Sequence, residues 1–314
     1  MGAIAMTGFF LLSGFVISYT SNQKNMSRWG VIKEFYIKRL ISIIPLYYTY
    51  ALLHVVIDII EKGERAIFQE LLLFPIEALG IQSVFSSLFP YSHNGGSWFI
   101  SCILICYAVY PFVHLISENL TNKSKMFMLV LLVGILLWSP IIVHKLALNT
   151  IYSNPFFRCL EFIIGSLIAQ LSIEKKSNWL ISFLKEPSVC IITIFVLVGG
   201  VSIAYRIDIP HDYMLYSWIA LPCFVSLLFS LSSITFVSLH KMGLIKYLSA
   251  LSFSIFLSQF LIVWTGVKSF AMIIGYQSNL LNIFLSALVC FCIANIFHYC
   301  IEKPSARFLK EKFL

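Results

Sequence analysis

Charged residues are scarce in this chain. Asp, Glu, Lys and Arg make up 11% of its 314 residues, hydrophobic residues make up 59%, and the mean hydropathy is +0.89. A typical soluble domain carries about 25% charged residues. The composition therefore excludes an ordinary soluble protein and predicts a chain that uses lipid as its solvent, where only helices or a closed barrel satisfy the backbone. Its long continuous apolar runs favour helices over the short alternating strands of a barrel.

The sequence also lacks the patterns of a metal site and of a nucleic-acid interface. It has eight cysteines but no Cys-x-x-Cys pair and no His/Cys cluster with metal-ligand spacing. Most cysteines fall inside apolar segments, where we expect them to be small packing residues. The net charge is +8, but the basic residues lie in short loops between apolar runs, which is typical of membrane orientation signals. We predict no bound metal and no nucleic-acid partner.

Nine apolar stretches approach the roughly 20 residues that a bilayer core requires. These predicted transmembrane helices cover residues 3–19, 37–60, 97–117, 126–145, 156–172, 188–205, 213–236, 247–268 and 279–300. A further stretch, 66–90, is interrupted by Glu70, Pro75, Glu77 and Pro90, which predicts an interfacial or re-entrant loop; a full span is the weaker alternative. No soluble block is long enough for a second domain. Residues 1–314 are thus predicted to form one all-α, polytopic membrane helical bundle.

Basic residues alternate between the predicted loops. Sixteen of the 22 Lys and Arg residues lie on one side and five on the other, with Arg158 near a membrane face. By the positive-inside rule the side with sixteen, which includes the C-terminus, is cytoplasmic. Nine spans that end inside must begin outside, so the topology predicts an additional helix upstream of Met1 and ten helices in all.

Two motifs open the chain. The first, FFLLSGF at residues 9–15, places the small residues Ser13 and Gly14 in an otherwise large-residue apolar helix. The second, FYIKRLISIIPLYY at residues 35–48, carries Lys38 and Arg39 where the loop is predicted to become a helix, and Pro45 further on. Basic side chains there can hold the phosphates of a cytosolic, nucleotide-like donor molecule. Anchoring of the helix at the interface explains the same charges equally well.

Two further motifs place polar residues at membrane depth. Trp98, Ser101 and Tyr107 follow a Gly-Gly turn, where an N-cap serine and an interfacial tryptophan also have a structural explanation. Arg158 and Glu161, spaced i,i+3, can pair on one helix face. Charges in a membrane are costly and by default indicate function, although a structural ion pair is an equal alternative.

Histidines outside these motifs offer candidate bases. His93 lies in a predicted outer loop, where a histidine is more often inert. His54, Asp58 and Glu61 are spaced i, i+4, i+7, which would suit a base held by a carboxylate. Half-exposed polar residues at a helix end explain the same spacing.

Two motifs close the chain. LSALSFSIFLSQ at residues 248–259 contains Ser252 and Gln259, and glutamine can hydrogen-bond but cannot act as a base near neutral pH. IEKP at residues 301–304 contains Glu302 and Pro304. Glu302 is predicted either to organise the cytoplasmic helix ends or to pair with Lys303.

In this order, the motifs resemble those of the membrane acyltransferase-3 family: FFxLSGF, FYxxRxxRxxPxYY, WxxS with Y and YP, PxxRxxEFxxG, LGxxSYxxYLxH and (I/V)EKP. The resemblance covers Phe9 to about Phe308. IEKP matches fully, whereas Ser42 replaces the second arginine of the second motif, Phe253 replaces a tyrosine and Gln259 stands where histidine is common.

The resemblance implies O-acyl transfer, usually of acetyl, from cytosolic acetyl-CoA or another acyl-CoA to a glycan hydroxyl. The acceptor would be a cell-surface or capsular polysaccharide, or its lipid-linked precursor, at the bacterial plasma membrane. Lys38 and Arg39 are then expected on the donor side. The residues expected at the acceptor cavity are Trp98, Ser101, Tyr107, Arg158, Glu161, Ser252 and Gln259. Structural roles are expected for Ser13, Gly14, Pro45, Glu302 and Pro304.

The family's base is a histidine of its first helix, expected here upstream of Met1. No catalytic residue is therefore assigned within the chain, and we expect residues 1–314 alone to transfer acyl groups weakly or not at all. The alternative function is a non-catalytic polysaccharide transporter or a structural membrane subunit on the same scaffold. Transporters often contain internal repeats, and the sequence has no visible repeat.

Overall fold

The computed structural model describes residues 2–85, 96–146, 152–173, 179–207, 215–233, 243–259 and 279–314, which are helical apart from short turns and contain no strand. The longer helices are α1 (Gly2–Ser21), α2 (Trp29–Lys62), α3 (Glu64–Ala78), α4 (Ser97–Glu118), α5 (Asn122–Leu146), α6 (Pro155–Ile173) and α8 (Pro187–Ile207). The others are α7 (Trp179–Leu184), α9 (Leu221–Ser233), α10 (Gly243–Ser258), α11 (Asn279–Phe297) and α12 (Lys303–Phe313). A π-helical segment, Leu215–Ala220, leads into α9, and another, His298–Glu302, joins α11 to α12.

Each of the nine predicted spans has a helical counterpart. Six apolar helices are long enough to cross a membrane: Ile4–Ser21, Trp29–Ile60, Ser97–Glu118, Asn122–Ile142, Pro155–Ile173 and Leu281–Phe313. Three shorter apolar helices, Pro187–Ile203, Ser217–Ser233 and Gly243–Ser258, coincide with parts of the other three predictions, of which residues 213–214, 234–236 and 260–268 lie outside the described residues. The all-helical membrane class is thus confirmed, and the count of nine stays a prediction.

The start of α2 corrects the sequence analysis. The helix begins at Trp29, so Lys38 and Arg39 lie inside it and not where a loop becomes a helix. No proline interrupts residues 29–44, and Lys38 pairs with Glu34 one turn earlier, which supports a helix across this polar stretch.

The stretch predicted as an interfacial or re-entrant loop is helical for most of its described length. Gly63 separates α2 from α3 with φ 64°, a backbone conformation that other residues rarely adopt. Although Pro75 lies inside α3, the hydroxyls of Tyr47 and Tyr48 donate to the carbonyls of Glu77 and Ala78 at 2.7 and 2.6 Å. These bonds satisfy the end of a helix that, at 15 residues, is too short for a full span.

The described helices group into two compact units. Unit 1 comprises Met1–Ile32 and Cys102–Thr235, and unit 2 comprises Lys33–Ser101 and Phe236–Leu314. Helices α2 and α4 each contribute residues to both units. The single transmembrane domain expected over residues 1–314 stays a prediction.

In unit 1, α1, α4 and α6 run in the same direction. Thr7 and Leu11 of α1 meet Glu161 and Gly165 of α6, four residues further on in both helices. Cys106 and Ser117 of α4 likewise meet Cys159 and Gln170 of α6 in order. The sequence analysis placed successive loops on alternate sides of the membrane, so the first, third and fifth spans should run in the same direction. These spans are α1, α4 and α6, and the observed common direction agrees with that prediction.

In unit 2, buried and half-buried hydroxyls connect the helices. The Ser254 hydroxyl of α10 donates to the Ala294 carbonyl of α11 at 2.9 Å, and Tyr247 bonds Asn295. The hydroxyls of Tyr50 in α2 and Ser258 in α10 also bond each other. Each pairing satisfies a polar group that would otherwise be costly in an apolar interior.

Candidate functional site

Two glycines bring α1 and α6 into direct backbone contact. A Cβ atom on Gly14 would lie 1.9 Å from the Phe162 carbonyl oxygen, and one on Gly165 would lie 1.9 Å from that of Leu11. Both residues belong to motifs that the sequence analysis singled out. Small residues allow such close approach of membrane helices, where packing has to replace the hydrophobic effect.

This contact holds a buried charge cluster together. Arg158 and Glu161 are 1% and 3% exposed, and Arg158 Nη1 lies 2.7 Å from Glu161 Oε2. The Thr7 hydroxyl of α1 donates to Glu161 Oε1 at 2.9 Å. The pair predicted from the sequence therefore makes an ion pair within α6 and a hydrogen bond from α6 to α1.

The guanidinium of Arg158 has further partners. Its Nε donates to the Tyr152 carbonyl oxygen at 2.9 Å, and Nη1 lies 3.5 Å from the Thr7 hydroxyl oxygen. Its carbon also lies 5.4 and 5.5 Å from the ring centroids of Phe10 and Tyr152. A guanidinium between aromatic faces and a carboxylate is well compensated at low dielectric.

Helix α4 carries the Trp98, Ser101 and Tyr107 motif through both units. Trp98 is buried in unit 2, where the neighbouring Phe99 packs edge to face on Phe256. In unit 1, the half-buried Tyr107 ring lies 6.1 Å from Phe162, next to Glu161 in sequence. Tyr107 therefore contacts α6 at the residue that follows Glu161 in the sequence.

Ser101 fixes the turn that precedes it in the chain. Its hydroxyl oxygen lies 2.7 Å from that of Ser83 and accepts the Ser83 backbone N–H at 3.1 Å. Both side chains are buried. Ser252 differs, because it is exposed and its hydroxyl donates to the Ser249 carbonyl of its own helix.

These two motif serines allow a matched test. We expect Ser101→Ala to lower the free energy of unfolding by about 1–3 kcal/mol, because it leaves a buried N–H without its acceptor. Ser252→Ala is expected to change it by less than about 0.5 kcal/mol. Thermal unfolding of the detergent-solubilised variants measures both values, and equal stability of the two would contradict the role of Ser101.

The residues expected on the donor side lie in unit 2. Lys38 is exposed and pairs with the Glu34 carboxylate, while the Arg39 guanidinium lies 5.5 Å from the Phe35 ring centroid. Both partners are on the same helix, one turn earlier. Glu34 therefore partly neutralises the positive charge of this helix face.

Gln259 borders a cavity of about 350 Å³ between α10 and α11. Ser286 and Cys290 also line it, and Ser286 has a buried hydroxyl without a hydrogen-bond partner. This combination of polar atoms and free volume suits a small hydroxylated ligand. Ser252 is not one of the described residues that line this cavity.

The remaining motif residues have local roles. Pro45 lies inside α2, where its carbonyl oxygen accepts the Thr49 hydroxyl at 2.8 Å. Pro304 is in the first turn of α12, a position that tolerates proline. Ser13 is half-buried beside Gly14. Glu302 bonds His298, and Lys303 lies instead over the Tyr299 ring.

Sequence reasoning missed several partners of these residues. Thr7 shares one face of α1 with Leu11 and Gly14, at i, i+4 and i+7, so its helix face could have been predicted, whereas its carboxylate partner could not. Ser254, Ser258 and Tyr50 carried no distinguishing local signal. His54 has a buried Nε2 atom without a hydrogen-bond partner. His93 and the side chain of Glu61 lie outside the described residues.

No three His, Cys, Asp or Glu side chains come together as a metal site within the residues that the structure describes.

Comparison with curated proteins and with solved structures gives no significant match. The sequence profile of the acyltransferase-3 family, described as an acyltransferase domain, matches residues 1–299 of the 314. The backbone contact of Gly14 and Gly165 and the Arg158–Glu161 pair both fall inside that match. On this evidence the chain belongs to the acyltransferase-3 family.

Proposed function

We propose that this chain is a membrane O-acyltransferase that moves an acetyl or other acyl group from cytosolic acyl-CoA to a hydroxyl of a cell-surface or capsular polysaccharide, or of its lipid-linked precursor. The observation that carries the proposal is the buried cluster of Arg158, Glu161 and Thr7. An ion pair inside apolar helices is costly to maintain and indicates function by default. Because Arg158 and Glu161 lie in a motif of the acyltransferase-3 family, we infer that their function is in acyl transfer.

The transfer needs two substrate-binding regions and a base. In the proposed reaction the acceptor oxygen attacks the thioester carbon, the carbon–sulfur bond breaks, and CoA leaves as its thiol. Lys38 and Arg39 supply positive charge for the donor phosphates. Gln259 and Ser286, at the cavity between α10 and α11, supply hydrogen-bonding groups for hydroxyls of the acceptor.

The proposed setting is the bacterial plasma membrane, with the C-terminus in the cytoplasm. Two features support this. The acyl donor is made in the cytosol, and α12 carries Lys303, Arg307, Lys310 and Lys312, as positive-inside segments do. The lipid bilayer and the glycan are then the partners of the protein.

Deletion of the gene tests the proposal. We expect the purified surface polysaccharide of the deletion strain to lose its O-acetyl signals in proton NMR, and a plasmid copy of the gene together with the sequence upstream of Met1 to restore them. Membranes of the complemented strain should transfer label from radiolabelled acetyl-CoA to the glycan. Retained acetylation with glycan trapped inside the cell would instead indicate a transporter. A glycan that is still acetylated and still reaches the cell surface would indicate a structural subunit.

A further inference from the structure

The charged helix α12 follows the last apolar span without a break. Leu281–Phe313 is one continuous helix of 33 residues, which at 1.5 Å per residue is about 50 Å long. The hydrocarbon core of a bilayer is about 30 Å thick and takes roughly 20 of these residues. A span that begins at Leu281 therefore ends near Cys300, and α12 lies beyond the hydrocarbon core, at the level of the lipid headgroups or past it.

The charge of the helix changes at this level. Helix α11 contains no Asp, Glu, Lys or Arg. Helix α12 has four basic residues and one acidic residue among its 11, a net charge of +3: Lys303, Arg307, Lys310, Lys312 and Glu311. Positive charge is thus concentrated where the phosphates of anionic lipids lie.

Apolar side chains of α12 share one side of the helix. Ala306, Leu309 and Phe313 are spaced i, i+3 and i+7, which places them on one face. Phe308, next to Leu309 in sequence, is 63% exposed, and Phe313 is 53% exposed. Within the part of the chain that the structure describes, no residue of α12 is buried. A basic amphipathic helix with exposed phenylalanines is typical of a helix that lies in the membrane interface.

Two lysines of α12 extend along aromatic rings. Lys303 Nζ lies 5.5 Å from the ring centroid of Tyr299, and Lys312 Nζ lies 5.4 Å from that of Phe313. Lysine in this arrangement covers apolar surface with its aliphatic chain and keeps its ammonium group at the polar level. At a membrane surface the same arrangement would place the rings among acyl chains and the ammonium groups among phosphates.

The joint between α11 and α12 contains two recognised causes of a helix bend. The π-helical segment His298–Glu302 ends α11, and Pro304 lies in the first turn of α12. Helices kink at π-bulges and at prolines, where the regular hydrogen-bond ladder is interrupted. A bend at this joint would allow α12 to lie along the membrane surface, whereas a straight continuation would carry its phenylalanines into water.

We propose that α12 is an interfacial helix that binds the phosphate groups of anionic phospholipids. Phe308 and Phe313 insert at the boundary of the acyl region, and the basic side chains contact the phosphates. Charge complementarity selects this partner, together with the continuity of α12 with a membrane span. Each basic residue near an anionic membrane surface strengthens binding by about fivefold. The proposal rests on the membrane class of the chain and is independent of acyl transfer.

Limited proteolysis of the full chain in lipid nanodiscs tests the proposal. Chymotrypsin cleaves after phenylalanine, so release of the peptide that begins at Leu309 reports how often α12 leaves the membrane surface. Discs of phosphatidylcholine alone are compared with discs that also contain phosphatidylglycerol. We expect the anionic lipid to slow the release, followed by mass spectrometry, at least about tenfold. In 1 M salt, where the Debye length is about 3 Å, the two rates should lie within about threefold of each other.

Charge variants locate the residues that bind the lipid. The test variant removes three charges of α12 and keeps the cleavage site: Arg307→Gln, Lys310→Gln and Lys312→Gln. The matched control removes three exposed basic residues of another segment on the same predicted side of the membrane: Lys24→Gln, Arg28→Gln and Lys33→Gln. Each variant is compared with its own rate in phosphatidylcholine. The effect of phosphatidylglycerol should fall to within about twofold in the test variant and stay at least about tenfold in the control.

The other outcomes would each contradict the proposal. Equal release from both kinds of disc would overturn it, and full protection of the test variant, or loss of protection in the control, would overturn the assignment to α12. Protection by free CoA in phosphatidylcholine discs would show that these charges bind the acyl donor and not lipid. If the test variant does not fold, wild type in 1 M salt decides, because a lipid effect that stays at about tenfold there overturns an electrostatic contact. Acyl transfer enters none of these measurements, so a failure of the proposed function is distinguished from a failure of this one.

Discussion

The Glu161→Ala variant is expected to lose about 3–5 kcal/mol of stability, because it leaves the buried guanidinium of Arg158 without its carboxylate. Thr7 would also lose the acceptor of its hydroxyl, which joins α1 to α6. A loss of this size is a large part of the total stability of a typical protein. We expect little folded protein in size-exclusion profiles of solubilised membranes, and a profile equal to wild type would contradict the role of the pair.

A double variant separates stability from function. Arg158→Met with Glu161→Leu replaces both charges by apolar side chains of similar size, a change that is often neutral or stabilising for buried pairs. We expect this protein to fold like wild type and to transfer no acetyl group. Full activity in the double variant would instead mean that the pair is only structural.

Gly14→Ala is expected to separate α1 from α6, at a cost of about 1–3 kcal/mol or more. The new methyl group would lie 1.9 Å from a backbone oxygen of Phe162, and a backbone atom cannot rotate away as a side chain can. Gly134 provides the matched control, because among the described residues no atom outside its own stretch of helix lies within 4 Å of a Cβ atom placed there. Gly134→Ala should be neutral or stabilising by up to about 1 kcal/mol, since alanine is the better helix former.

A third glycine, Gly8, should give a stability loss between those of Gly14→Ala and Gly134→Ala. At Gly8 the nearest atoms belong to the Phe224 ring, 2.8 Å from the added Cβ atom, and a ring can shift. We expect Gly8→Ala to fall between the other two substitutions in thermal unfolding of the solubilised protein. If all three variants melt together, the backbone contact of α1 and α6 is not what stabilises this pair of helices.

The sequence predicted the features that composition and local spacing determine. Long apolar runs identify helices whatever their partners, and i,i+3 spacing was enough to pair Arg158 with Glu161. The start of α2 was predicted eight residues too late, at 37 and not 29. The cause is that polar residues such as Lys33 and Glu34 weaken the apolar signal without weakening the helix.

Contacts between distant segments could not be predicted in this way. Thr7 and Glu161 are 154 residues apart, and nothing near Thr7 indicates a carboxylate partner. Ser252 and Ser254 are neighbours in one motif, yet only Ser254 faces α11, because the neighbouring helix decides which side of α10 is buried.

The glycine contact between α1 and α6 also imposes an order of events during synthesis. Gly14 and Gly165 are about 150 residues apart, and translation adds about 5–20 residues per second, so α1 waits roughly 8–30 s for its partner. Throughout that interval the face of α1 that carries Thr7 and Gly14 has to be covered by lipid or by the insertion machinery. Slower translation between these two helices lengthens the interval in which this face of α1 has no partner helix.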